Sequence, residues 1–68
     1  MILYVAQCCD LHFIEVETSK EAAVMRIEEL ARERGYSVTW WEDDKCHATL
    51  DNSINSAVAL IHPKKVLN

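Results

Sequence analysis

The sequence predicts an α+β domain: an antiparallel sheet of about four strands in the order ββαββ, one long helix on one face, and a short C-terminal helix or strand. Three observations predict it. Two β-favouring runs flank a short polar break near the start, a capped segment of helical period follows, and alternation of apolar and polar residues resumes after the single glycine. The 68 residues, 50% apolar and 26% charged, read as one small domain over residues 1–68, with one Pro and no linker or low-complexity stretch. A chain of this length buries only about 60% of its unfolded surface, so help from a second chain is an expectation from the outset.

The first run, Ile2-Leu3-Tyr4-Val5-Ala6, is apolar on both sides of its pleat, and such a strand wants cover on both faces. Gln7-Cys8-Cys9-Asp10 forms the break. In the second run, residues 11–17, Ile14 and Val16 share one face while Phe13, Glu15 and Glu17 share the other. Thr18-Ser19-Lys20-Glu21 matches the capping box, in which the Thr hydroxyl accepts from the fourth residue's N–H and the Glu reaches back. A helix is expected over residues 19–34, with Ala23, Val24, Ile27, Leu30 and Ala31 as its apolar stripe, Glu28 and Arg32 as an i,i+4 pair, and Gly35 as its left-handed stop.

After the helix, Tyr36, Val38 and Trp40 alternate inward with Ser37, Thr39 and Trp41 outward. Glu42-Asp43-Asp44-Lys45 turns the chain, and Cys46, Ala48 and Leu50 return on the inner face of a fourth strand. The last segment fits two templates. Ile54, Ala57, Val58 and Ile61 have helical spacing after an Asp51 or Ser53 cap, whereas residues 57–62 also suit a buried strand before Pro63; the short helix is the preferred reading.

Seven Lys and Arg stand against eleven Asp and Glu, a net charge of −4, and the basic residues are scattered. Binding to phosphate backbones needs clustered positive charge, so no direct nucleic-acid partner is expected. The longest apolar run falls far below the roughly 20 residues that span a bilayer, and no basic leader with a small-residue cleavage site precedes it, so a cytoplasmic protein with no membrane partner is expected. Three cysteines, two of them adjacent, argue for reduced thiols and against a disulfide framework.

Candidate chemistry comes from two sets. Cys8, Cys9, His12, Cys46 and His47, with His62, are ligand types for a small zinc- or thiol-dependent module, but adjacent strand residues point apart and no two-residue knuckle repeats. The plainer reading makes Cys8 and Cys46 small core hydrophobes and the histidines surface residues. No nucleophile, base and orienting group fall together, and one glycine cannot build a phosphate loop, so neither an enzyme nor a cofactor is expected.

The second set is for protein contact. Trp40 and Trp41 face opposite ways, so Trp41 either anchors a partner or is covered by the expected second helix. Met25 sits opposite the helix's apolar stripe. Phe13, Trp41 and Leu3 or Val5 are expected to form an apolar patch on the sheet face away from the helix, while Glu15, Glu17, Glu42, Asp43 and Asp44 steer a basic partner.

The order of hairpin, Thr- or Ser-initiated helix and a strand opening Gly35-Tyr36-Ser37-Val38-Thr39 resembles small proteins by which bacteriophages inhibit host machinery. These include a phage inhibitor of bacterial RNA polymerase and anti-CRISPR proteins with one helix on a small antiparallel sheet. The resemblance covers about the first forty residues, is architectural, and leaves out residues 51–68. It implies a non-enzymatic protein that binds and blocks a host complex such as a CRISPR effector or RNA polymerase. A self-associating protein or homodimer, or an accessory subunit of a larger fold, is the rival expectation.

Overall fold

In the computed structural model, which describes residues 1–67, the chain runs β1 (Ile2–Cys8), a 3-10 turn (Cys9–Leu11), β2 (Phe13–Glu17), α1 (Lys20–Arg34), β3 (Ser37–Trp40), β4 (His47–Asp51) and β5 (Ser56–Lys65). The strands form one antiparallel sheet in the order β2-β1-β5-β4-β3, with α1 packed on one side. The α+β class holds, with five strands where about four are expected.

The fifth strand corrects the expected C-terminal helix. Ala57, Ala59 and Ile61 alternate into the core, so the period is two and not 3.6. Asp51 and Ser53 are not helix caps. Asn52 closes a tight hairpin turn instead, its Oδ1 accepting from the N–H groups of Ile54 and Asn55 at 2.8 Å each, which leaves Ile54 exposed at the tip. β5 then pairs with β1 through residues 60–65 and with β4 through residues 56–60, satisfying ladder groups that a helix would have left open on both strands. Pro63 fits because of where β4 stops. The Ile61 N–H donates to Cys46 O at 2.8 Å, so the N–H that Pro63 lacks would point the same way, past the last paired residue on that side.

The helix begins one residue later than the capping-box reading. Ser19, not Thr18, is the N-cap, and its Oγ accepts from Ala22 N at 3.1 Å. At the other end Gly35 stands at φ 76°, its N–H directed to Arg32 O and the Tyr36 N–H bonded to Ala31 O at 2.7 Å, a Schellman stop. The expected Glu28–Arg32 pair is replaced: Glu28 accepts from Trp40 Nε1 at 3.3 Å, tying the helix to β3.

Six of the twelve buried apolar residues are alanines: Ala23 and Ala31 on α1, Ala6 on β1, Ala48 on β4, Ala57 and Ala59 on β5. Small side chains on both layers let the helix settle close to the sheet. Ile27, Leu50 and Cys8 are the largest side chains sealed completely, and Tyr4, Phe13, Val38 and Trp40 close the rim. No helix among the described residues is long and apolar enough to cross a membrane.

Two substitutions check this packing by urea unfolding. Ala59→Leu forces a larger side chain into a site of 0% exposure and is expected to destabilise by about 1–3 kcal/mol. Gly35→Ala adds a Cβ that meets nothing within 4 Å, so its cost of about 1 kcal/mol is backbone strain alone.

Candidate interaction surface

Strand alternation sorts the sheet into two faces. Residues registered with Ala6, Ala48 and Ala59 face α1; the others point away from it. The uncovered face carries Leu3, Val5 and Gln7 of β1, Ile14 and Val16 of β2, Val58, Leu60, His62 and Lys64 of β5, His47, Thr49 and Asp51 of β4, and Ser37 and Thr39 of β3. Trp41 joins them just beyond β3, its N–H donating to His47 O at 2.9 Å. Gln7 pairs with both Ile14 and Leu60, and Leu60 with His47, so Ile14, Gln7, Leu60 and His47 form one row across four strands that reaches Trp41 just past the end of β3.

This face is apolar and open. Ile14 is 65% exposed, Val16 56%, Trp41 54% and Val58 43%, around a half-buried Leu3 and Leu60 and a shielded Val5. The Trp41 indole stacks on the His47 ring with centroids 5.4 Å apart, and its Nε1 donates to Thr49 Oγ1 at 2.7 Å. Of the eleven Asp and Glu residues, Asp51 alone belongs to this face.

The expected site residues divide between the two sides. Trp41 lies on the open face as expected. Phe13 does not: it registers with Cys8, packs against the buried core and lies under the Arg26 guanidinium, 5.3 Å from ring centroid to Cζ. The expected patch of Phe13 with Trp41 is therefore replaced by one in which Ile14 and Val16, the opposite phase of the same strand, are the exposed members. Glu15 and Glu17 fall on the helix side with Phe13. Glu15 holds Arg26 in a two-pronged pair, Oε2 to Nε at 2.5 Å and Oε1 to Nη2 at 3.1 Å, and Arg26 also bonds Glu29. Met25, 67% exposed, meets Asp43 and Asp44 across a shallow groove between α1 and the β3–β4 turn, where the Glu42 carbonyl accepts from Lys45 N. The acidic turn is thus gathered with Met25 on the helix side.

The zinc or thiol set does not converge. Cys8 is buried on the helix side, where burial pushes its thiol up from the ordinary value. Cys9 is exposed on the 3-10 turn with His12 at its end, and Cys9 Sγ accepts from the Gln7 amide. Cys46 faces the helix side, 3.6 Å from Lys20 Nζ, while His47 projects from the open face. Among the described residues no group of three or more His, Cys, Asp or Glu stands close enough to hold a metal ion.

Sequence reasoning missed Val58 and Leu60 because it placed their segment in a helix, and it assigned Ile14 and Val16 no contact role. The usable signal was Glu15 in phase with Phe13: a carboxylate on the covered side needs a cation on the covering element, and Arg26 supplies it. No family model, no curated protein and no solved structure matches this chain.

The Glu15–Arg26 pair makes stability depend on pH. The hydrogen bond from Arg26 holds the Glu15 carboxyl below its ordinary value of 4.5. Its contribution is therefore complete above the unfolded-state value and is lost as pH falls through the folded one. Urea midpoints measured from about pH 6 to about pH 3 are expected to fall, and to fall less steeply in Glu15→Gln.

Proposed function

We propose that the protein is a non-enzymatic protein-interaction module that acts stoichiometrically, with the uncovered face of its sheet as the contact surface. The observation that carries this reading is the single helix: it covers one face of a five-stranded sheet, and the other face presents Ile14, Val16, Val58 and Trp41 to solvent. A sheet face of this composition is ordinarily buried against another layer, and an apolar patch this continuous is characteristic of a contact site. Full burial of an exposed aliphatic side chain is worth about 1.5–3 kcal/mol, and Ile14, Val16 and Val58, already part-covered, gain about half of that.

Trp41 suits the role of anchor. Its ring is stacked and its N–H already bonded, so little side-chain freedom remains to be lost on contact. The acidic residues Glu42, Asp43 and Asp44 lie outside this surface, beside the Met25 groove, where they favour approach of basic groups to the helix side. The phage-inhibitor resemblance gives the reading its specific form, a small protein that covers and blocks a surface of a larger host complex. The scattering of Cys8, Cys9, His12, Cys46 and His47 over both faces and two turns supports this over the metal or thiol alternative.

Photo-crosslinking residues at positions 16, 58 and 41, with position 33 on α1 as the control, test the surface in cells expressing the full chain. Protein adducts are expected from the three sheet positions and at least about fivefold fewer from position 33, in keeping with contact confined to a patch. Equal yields at all four positions, or none, would overturn the reading.

A further inference from the structure

We infer that the groove between α1 and the β3–β4 turn is a second contact site, and that it takes an extended segment of another protein in which an apolar side chain lies between two arginines. The site is on the helix side of the molecule and stands or falls independently of the open sheet face.

The helix supplies the pattern. Along one wall of a groove of about 470 Å³, α1 presents Glu21, then Val24 and Met25, then Glu28. At 1.5 Å of rise per residue the two glutamates are about 10 Å apart along the axis, with the apolar pair between them. Val24 is half-buried, whereas Met25 is 67% exposed, and its flexible thioether can adapt to an incoming side chain. Asp43 and Asp44 line the facing wall. Their turn is held by the Lys45 N–H donating to Glu42 O at 3.0 Å and the Cys46 N–H donating to Asp44 Oδ1 at 3.3 Å, so the wall is built before anything arrives.

The occupant follows from the charge left open. Four carboxylates line the groove against the ammonium groups of Lys20 and Lys45, and among the described residues neither lysine forms an ion pair. Lys20 Nζ is directed to Cys46 Sγ at 3.6 Å instead. Elsewhere on α1 the carboxylates are answered within the chain, Arg26 holding both Glu15 and Glu29. In the groove Glu28 gives one oxygen to the Trp40 indole and keeps its charge, while Glu21 and Asp43 accept no hydrogen bond from any described side chain. A metal ion is not the missing cation, because among the described residues no three His, Cys, Asp or Glu gather closely enough to hold one. Phosphate-bearing partners are repelled by the same excess of carboxylates. Arginine answers it better than lysine, since its planar fork of five N–H donors can bond two carboxylates at once.

Spacing sets the form of the segment. Alternate residues of an extended chain face the same way at intervals of about 6.8 Å, so arginines at the first and fifth positions flank a central apolar side chain over about 13 Å. That order, basic, apolar, basic, is the complement of Glu21, Val24 with Met25, and Glu28, and the length of the arginine side chains takes up the difference in span.

Titration of the isotope-labelled full chain with the acetylated, amidated peptide Arg-Ser-Leu-Ser-Arg, followed through backbone amide NMR shifts, tests the proposal. Saturating shifts are expected at residues 21–28 and 42–45, with residues 14, 16 and 58 unmoved. Glu21→Gln and Asp43→Asn, which remove charge and keep shape, are each expected to weaken binding about fivefold, and Glu33→Gln to leave it unchanged. Glycine in place of the peptide's leucine, or Met25→Ser, weakens it by about three- to tenfold, and raising salt from about 50 to 500 mM by at least about threefold. No saturation by about 5 mM peptide, spermidine bound as tightly as the peptide, or indifference to both Glu21→Gln and Asp43→Asn sinks the proposal. Saturating shifts confined to residues 14, 16 and 58 sink it as well and leave the sheet-face reading in place, whereas groove shifts in a protein that gives no crosslinks at positions 16, 58 and 41 support the groove and remove the sheet face.

Discussion

Alanines where α1 meets the sheet set the distance between the two layers. Ala23 and Ala31 on the helix meet a floor that includes Ala6, Ala48 and Ala59, so the backbones come close and Ile27, Leu50 and Cys8 suffice to fill the gap. Closeness of this kind has a cost in reach. Fifteen helical residues cover a stripe that touches β1, β2, β5 and β3, and the layer they create is thin, so the apolar area withdrawn from water is modest for the amount of sheet it supports. The rim is closed by aromatic rings that meet polar partners: Trp40 through Glu28, and Phe13 beneath an Arg26 that Glu15 steadies.

The same arrangement explains why the chain's thiols and imidazoles make no site. Alternation along β4 sends Cys46 to the covered side and His47 to the other, and the 3-10 turn carries Cys9 and His12 to the far tip of the first hairpin. Each is used locally. His47 stacks on Trp41, Cys46 lies near an ammonium group, and Cys8 fills core volume. Reactive residue types near one another in a list of letters are separated here by the pleat itself.

Much of the fold was legible because local chemistry agreed with it. The helix was written in its stripe and in Gly35, the inward set of β3 in Tyr36, Val38 and Trp40, and that of β4 in Cys46, Ala48 and Leu50. What could not be read is what depends on distant neighbours. Residues 54–62 satisfy both a helical and a strand period; the strand wins because β1 and β4 offer ladders on both sides, a fact no window of ten residues contains. The one-residue shift from Thr18 to Ser19 is of the opposite kind, two adjacent hydroxyls competing for one cap. For the candidate surface, the alternation of Ile14 and Val16 against Glu15 and Glu17 defined two faces correctly, and hydrophobicity suggested the wrong one as covered. Arg26 reverses the assignment by giving Glu15 a partner on the helix.

The place of β5 has a consequence for how the molecule is made. Within the sheet the hairpins β1–β2 and β3–β4 are joined through it alone, and its pairing joins Ile2 to Lys65. A nascent chain leaving the ribosome thus carries two separate ribbons whose inner edges have nothing to bind until the final strand emerges and slots between them. Closure then brings together residues as far apart in sequence as Ile2 and Lys65, which slows folding. Until that moment the inner edges of the hairpins are open to pairing with other chains, and a chain lacking Ser56–Lys65 would hold two ribbons with no sheet to share.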